Sequence, residues 1–276
     1  MEDRASRVPQ RLTASPEERT GEWSEAVMNF LFCVHPTREE AHRLHGELSG
    51  YLRLKGHSEV SDPALADFTL AIGGDGTVVA ACRACSAPII GINAGTLGYL
   101  TRVEPAQAKE ALDRLCRGDY AIEERMMLCC GAAGGPVTRA LNEAALTKEG
   151  SGVIRFTVTV DGIRLMRYTA DGIICATPTG STGYSLSAGG PIVDPASELM
   201  VLTPIAPHTL LNRPIVLSAD SVVRLECEND AVISMDGASA RLPAGTPFEI
   251  RRSPETMRFV SFGRESFIGR LQQKLG

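Results

Sequence analysis

The chain has 276 residues, 43% of them hydrophobic, and a formal net charge of −5. That length buries a substantial core, as one large domain or two smaller ones, with two the better expectation. An acidic balance argues against a protein that grips nucleic acid or anionic lipid by bulk electrostatics, so neither nucleic acid nor membrane is expected as a partner, and any anionic ligand needs a local site.

Residues 1–22 are rich in Arg, Glu, Ser, Thr and Pro, which predicts a mobile tail, with the folded part starting at Trp23. This start has no apolar signal-peptide core, and no later run approaches the ~20 apolar residues of a membrane span, so a cytoplasmic protein is expected. Eight irregularly spaced cysteines read as small core residues in a reducing compartment. Cys82 and Cys85 form a lone C-x-x-C within a predicted helix, and His42 and His45 share a helix face; neither pair amounts to a metal-ligand set, and none is assigned.

Residues 23–121 alternate strand and helix. An apolar strand over Asn29 to Val34 is followed by a helix capped by Thr37, with Ala41, Leu44, Leu48 and Leu52 on one face. A second strand, Phe68 to Ile72, runs into Gly73-Gly74-Asp75-Gly76-Thr77 and a short helix over Val78 to Cys85. A third, Pro88 to Ile92, ends at Asn93-Ala94-Gly95-Thr96-Leu97-Gly98, and a helix over Pro105 to Cys116 follows. This alternation predicts a doubly wound, Rossmann-like α/β domain with its crevice at the strand ends, where both glycine turns fall.

From residue 122 to 250 the texture changes to short strands and turns: Ile154 to Val160, a turn at Asp161-Gly162, Arg164 to Tyr168, then Ile215 to Leu217, Val222 to Cys227 and Val232 to Met235 before Asp236-Gly237. An all-β, sandwich-like second domain is expected. Residues 251–276 carry one more apolar strand and a short helix, predicted to return to the α/β domain.

The chemistry concentrates in two places. In Gly73-Gly74-Asp75-Gly76-Thr77 the glycines let successive backbone N–H groups converge on phosphate oxygens at a helix start. A carboxylate among them would repel phosphate unless it held a cation or accepted a proton from an attacking hydroxyl, which makes Asp75 the candidate catalytic residue. In the second place, Thr179, Thr182 and Ser187 offer hydroxyls, Tyr184 a flat ring and Asp171 an acceptor, a set suited to a purine base. The bland alternatives are a tight turn with a helix cap and a polar surface loop.

The glycine motif alone is shared by NAD kinases, 6-phosphofructokinases and diacylglycerol-type lipid kinases. Leu141-Asn142-Glu143-Ala144, the run from Thr169 through Asp171, Thr177-Pro-Thr179-Gly-Ser-Thr182-Gly183-Tyr184 and Ser187 to Pro191, and Thr203-Pro-Ile-Ala-Pro-His208-Thr209 closely resemble the defining segments of the NAD kinase family. The resemblance spans residue 29 to the end. It implies ATP with Mg²⁺ or another divalent cation as donor and NAD as substrate, held between the two domains with help from a neighbouring subunit of a homodimer or homotetramer. Asp75 would face the 2′-hydroxyl of the adenosine ribose, with Gly73, Gly74, Gly76 and Thr77 shaping the phosphate loop. Asn142 and Glu143 would hold the nicotinamide-side ribose and polar groups near the adenine. Two departures stand out: Gly183 where the family pattern has alanine, and Tyr99 where phenylalanine is common. The competing readings are a non-catalytic NAD(P) sensor and a lipid or sugar kinase sharing the loop.

Overall fold

The structure, a computed structural model, describes residues 27–95, 98–132, 135–208, 212–263 and 266–275. The expected tail and its end at Trp23 lie outside these residues, as do Thr96, Leu97 and Thr209 of the motifs.

In the first part β1 (Asn29–Val34), α1 (Glu39–Leu54), β2 (Ser58–Val60), β3 (Phe68–Gly73), α2 (Asp75–Ala84), β4 (Ile89–Asn93), α3 (Ala108–Cys116) and β5 (Ala121–Arg125) follow in order. The second part holds β6 (Leu128–Ala132), β7 (Thr138–Ala140), β8 (Glu143–Lys148), β9 (Ile154–Val160), β10 (Ile163–Ala170), β11 (Gly172–Ala176), α4 (Tyr184–Ser187), β12 (Leu199–Ile205), β13 (Ile215–Ser218), β14 (Val223–Cys227), β15 (Ala231–Met235), β16 (Ala238–Leu242) and β17 (Phe248–Arg252). Two elements close the chain, β18 (Met257–Ser261) and α5 (Phe267–Leu275).

The first sheet has the order β2-β1-β3-β4-β18-β5, and β1 to β4 run parallel. All six residues of β3 and all five of β4 are buried, as strands covered on both faces must be. One face packs Phe30, Leu70, Ile72, Ile90 and Ile92 against Leu44, Leu48 and Leu52 of α1 and Leu112 and Leu115 of α3. The other packs Ala71 and Ile89 against Val78, Val79 and Cys82 of α2, and Met127 and Leu141 of the second domain join that cluster. The last strand, β18, pairs parallel to β4 and antiparallel to β5, so the chain's end is woven into the first sheet. β5 straddles the expected boundary at residue 122, and its pairing puts it with the α/β domain.

The second domain is two antiparallel sheets, ordered β10-β9-β14-β17-β6-β7 and β13-β12-β11-β8-β15-β16. Their inner faces meet in one core that includes Phe156, Val158, Tyr168 and Leu225 from one sheet and Leu146, Ile173, Met200 and Ile233 from the other. The hairpin turns fall where the sequence puts them, with positive φ at Asp161 and Gly162 and at Asp236 and Gly237. Among the described residues no helix is long and apolar enough to cross a membrane.

Three expectations need correction. The cap of α1 is Arg38 rather than Thr37, and no side chain bonds there; two acidic residues, Glu39 and Glu40, occupy the first turn instead. α2 starts at Asp75, so three of the five residues of the glycine motif are the helix's first turn rather than a loop before it. The short strand β2 was hidden because Ser58-Glu59-Val60 lies at the sheet edge, with little burial to leave an apolar pattern.

Candidate active site

The glycine motif is the junction of β3 and α2. Gly73 ends the strand where a Cβ would lie 2.2 Å from Thr77 Oγ1, so only glycine lets the first helical turn fold back this closely. Gly74 caps the helix, and the amides of Thr77 and Val78 are taken by its carbonyl. A Cβ on Gly76 would meet nothing within 4 Å. The helix therefore presents its positive end and unobstructed backbone to the space beside it, the arrangement that suits an anion.

That space is a cavity of about 700 Å³, lined by Arg38, Gly74, Asp75, Gly76, Thr77 and Lys274 among others. It opens between the ends of β1 and β3, where the direction of winding reverses. Arg38 donates from Nη1 to the Ala94 carbonyl at 2.8 Å and lies over Gly95, where a side chain would collide with it. Two cations thus border the glycine turn.

Asp75 does not cap its own helix. Its Oδ2 accepts from Tyr99 N at 2.7 Å, and its Oδ1 from Leu100 N at 2.9 Å and Thr101 N at 3.3 Å. The second glycine turn supplies these amides, and it needs glycine at 98 because a Cβ there would sit 2.1 Å from Asp75 Oδ1. Both glycine turns are thus parts of one device.

Asn142 and Glu143 stand at the junction with the second domain, held by Asp236. The Asp236 carboxylate accepts from Leu141 N at 2.6 Å, Asn142 N at 2.8 Å and Glu143 N at 3.2 Å, while its own carbonyl accepts from Arg83 of α2 at 3.3 Å. Thr177 fastens the neighbouring loop: its N–H donates to Asn142 O at 2.8 Å, its Oγ1 donates to Leu141 O at 2.6 Å and accepts from Gly180 N at 3.1 Å. Gly180 fits because a Cβ would lie 2.1 Å from Asn142 O.

The carboxylates of Glu143 and Asp236 share this partly dry junction. Burial first, and Asp236 second, push Glu143 up to about 7. Burial also raises Asp236, but the three amides and Arg83 oppose the shift. Asp236, with donors on it, keeps its charge more readily, so Glu143 is the member that takes up a proton near neutrality.

A second cavity, about 410 Å³, lies at this domain junction and is lined by Tyr99, Leu100, Arg125, Thr179, Thr182 and Arg270 among others. Thr179 is buried; Gly183, Tyr184 and Ser187 are exposed around α4. The turn over residues 98–101 separates the two cavities, with Gly98 lining one and Tyr99 and Leu100 the other.

Asp171 is not brought into this group. It sits before β11, whereas Thr177 follows that strand, and six extended residues span roughly 20 Å. It pairs there with Lys148 at 2.8 Å. Nearness in sequence does not bring it to Thr177, because a strand separates its two ends as fully as any element can.

The sequence reading also missed Arg38, Thr177, Asp236, Arg270 and Lys274. Asp236 carried a signal, as half of an Asp-Gly turn, but its partners lie 93 to 95 residues away. His45 bonds Glu59 at the edge of the first sheet, and His42 meets the carbonyl of Pro36, a residue of the loop that borders the donor cavity. Among the described residues no three or more His, Cys, Asp or Glu side chains gather to hold a metal.

Residues 6–120 match the family model of the ATP-NAD kinase N-terminal domain and residues 141–262 that of the C-terminal domain. The chain is 41% identical over 223 residues to the NAD kinase of Gemmatimonas aurantiaca, covering 76% of this chain and 77% of that one. It is 36% identical over 274 residues to the NAD kinase of Chlorobaculum tepidum, covering 90% and 96%. Its fold matches the crystal structure of yeast NADH kinase complexed with NADH at a TM-score of 0.84, with 23% identity over 92% of this chain and 89% of that one. An NAD kinase from Archaeoglobus fulgidus in complex with ATP matches at 0.75, with 27% identity over 88% and 98%. A glycine-turn helix start facing a cation-bordered cavity, set in this two-domain frame and matched over both domains, identifies the chain as a member of the NAD kinase family.

Proposed function

We propose that this chain transfers the γ-phosphate of ATP to the 2′-hydroxyl of the adenosine ribose of NAD, giving NADP, with Asp75 as general base. The observation that carries the assignment of the base is the position of Asp75: an acidic side chain at the positive end of α2, bordering the 700 Å³ cavity, with both oxygens oriented by backbone amides.

The donor phosphates lie against Gly74, Gly76 and Thr77, with Arg38 and Lys274 countering their charge. Oδ1 of Asp75 accepts two amides and Oδ2 one, so Oδ2 keeps a lone pair for the incoming hydroxyl. A carboxylate is a weak base at neutral pH, so it takes the proton late, as the new P–O bond forms; alignment and charge neutralisation do most of the work. The purine end of NAD lies by Asn142, Glu143, Thr179, Thr182, Gly183, Tyr184 and Ser187.

Mg²⁺ enters as part of the substrate. Among the described residues Asp75 is the one acidic side chain lining the donor cavity, and its remaining lone pair is assigned to the incoming hydroxyl, a donor set that does not fit an ion held by protein. The ion is carried on the ATP phosphates, as is common where phosphate oxygens supply its ligands.

Asp171 is assigned to a neighbouring copy's pocket in a homodimer or homotetramer, since it stands too far along β11 to join its own. The same reading assigns the enzyme to the cytoplasm, in keeping with eight free thiols. The test is NADP formation from NAD, ATP and Mg²⁺, followed through a dehydrogenase that accepts only NADP. Asp75→Asn should lose on the order of 10²–10⁴ in turnover; near-normal turnover in the folded variant refutes the base. Co-refolding inactive Asp75→Asn and Asp171→Ala chains should regain activity, and no regain removes Asp171 from a shared site.

A further inference from the structure

The reaction uses the front of the turn over residues 98–101; its back is gripped by the C-terminal helix. Arg270 of α5 is 7% exposed and donates from Nη1 to the carbonyl oxygen of Tyr99 at 2.8 Å. The same planar peptide carries the Leu100 N–H, which donates to Asp75 Oδ1 at 2.9 Å. In a trans peptide these two groups point in opposite directions. One peptide unit therefore stands between a guanidinium on its oxygen and a carboxylate on its N–H, and each charge polarises it in the sense that strengthens the other bond.

One further contact and one shared cavity put α5 against the same turn. Lys274 Nζ lies 3.8 Å from the Tyr99 ring centroid and also lines the donor cavity with Asp75. Phe267 and Arg270 line the junction cavity with Tyr99 and Leu100. The helix follows β18, a strand of the first sheet, so it is anchored where the glycine motif is anchored.

We propose that Arg270 is a positioning residue for the phosphoryl transfer: by fixing the Tyr99–Leu100 peptide it sets the orientation of the Asp75 carboxylate. The proposal rests on Asp75 being the base, and the experiment separates the two claims. Losing the guanidinium frees the peptide to rotate, and the carboxylate turns with its amide donors, while the Thr179 loop, which shares the junction cavity with Arg270, is held by the Thr177 bonds to Leu141 and Asn142.

Arg270→Met, Arg270→Lys and Arg270→Gln are assayed for kcat and for the KM of NAD, in the wild-type and the Asp75→Asn backgrounds. Misplacing a reacting group by about 1 Å costs up to ~10²-fold, so Arg270→Met should lower kcat by roughly 10- to 100-fold with KM changed by less than about 3-fold. Arg270→Lys, which keeps a cationic donor, should recover part of that loss. In the Asp75→Asn background Arg270→Met should add less than about 2-fold, because residues acting through one another are not additive.

A folded Arg270→Met enzyme with kcat within 2-fold of wild type overturns the proposal. So does a full loss persisting without the Asp75 carboxylate, or a loss confined to KM. If Arg270→Met does not fold, the Lys and Gln variants are held to the same criteria, and failure of all three to fold makes Arg270 structural only. A fully active Asp75→Asn enzyme instead removes the base and leaves the grip on the turn without this purpose.

Discussion

Gly98→Ala tests the coupling of the two glycine turns more sharply than any change in the first turn. The added Cβ would stand 2.1 Å from Asp75 Oδ1 and 2.5 Å from Thr101 Oγ1, whereas real Cβ contacts stay above 3.0 Å, so the carboxylate must retreat by at least 0.9 Å. Both obstacles are side-chain ends, so the turn itself survives. The retreat costs Oδ1 its bonds from Leu100 and Thr101, at about 1.5–3 kcal/mol for each bond to a charged acceptor and roughly 3–6 kcal/mol for the two. Alanine returns about 0.4–1 kcal/mol by restricting the unfolded chain, leaving a net loss of roughly 2–5 kcal/mol. Turnover should fall as well, by near 10²-fold, since the carboxylate moves by about the distance that spoils alignment. Urea unfolding and the coupled NADP assay measure the two quantities. A Gly98→Ala enzyme with wild-type kcat would show that the position of Asp75 does not matter to the reaction, and the clasp by residues 99–101 would lose its catalytic meaning.

Gly180→Ala meets backbone instead, with Asn142 O at 2.1 Å and Asn142 C at 2.4 Å, and nothing there can rotate aside. Separating this loop from β8 should cost about 1–3 kcal/mol or more and weaken NAD binding, visible as a lower urea midpoint and a raised KM. Gly183→Ala is the opposite case. The Cβ would meet Gly180 O at 3.3 Å and Glu143 Oε2 at 3.6 Å, so the family's alanine needs the Gly180 carbonyl to give by only a few tenths of an ångström, and the stability should change by less than about 1 kcal/mol, read as a small shift in Tm. Glu143 gives a pH dependence. Its value is raised to about 7 when folded and returns to the ordinary carboxylate range when unfolded, so between these the folded state binds more protons. Its contribution is fully present at low pH and is lost as pH rises through 7. Glu143→Gln should therefore gain stability relative to wild type as the pH rises from about 4.5 to 7, by up to roughly 3 kcal/mol, and equal pH slopes in the two proteins over that range would contradict the burial argument.

Much of the fold was legible because its signals are local. The period of Ala41, Leu44, Leu48 and Leu52 gave the buried face of α1, and all four are buried. The run Ile154–Val160 was read to the residue, since it alternates against a sandwich core and ends in an Asp-Gly turn. Asp75 was legible as a chemical oddity, a carboxylate where phosphate should bind. The partners of Asp75 were not, because they are backbone amides, and a main-chain donor leaves no mark in the identity of Tyr99, Leu100 or Thr101. Arg270 was invisible for a related reason. It reaches a carbonyl 171 residues away, and its own helix looks amphipathic whatever it packs on.

The four Asp-Gly pairs of the chain show where sequence stops deciding. Asp161 closes a hairpin, with φ at 51° and a carboxylate that accepts from Val222 N at 2.7 Å and Ser221 Oγ at 3.0 Å. Asp171 makes a strand corner and pairs with Lys148. Asp236 and Asp75 share one device, a carboxylate clasped by three successive backbone amides, 141–143 in one case and 99–101 in the other. Access separates them. Asp236 is 9% exposed and lines neither cavity, so its charge is spent on holding Asn142 and Glu143 in register. Asp75 borders open space at the positive end of a helix, where a hydroxyl and a phosphate can meet beside it. The same bonding therefore yields a strut in one place and, on our reading, a base in the other, and the difference lies in what the fold leaves uncovered.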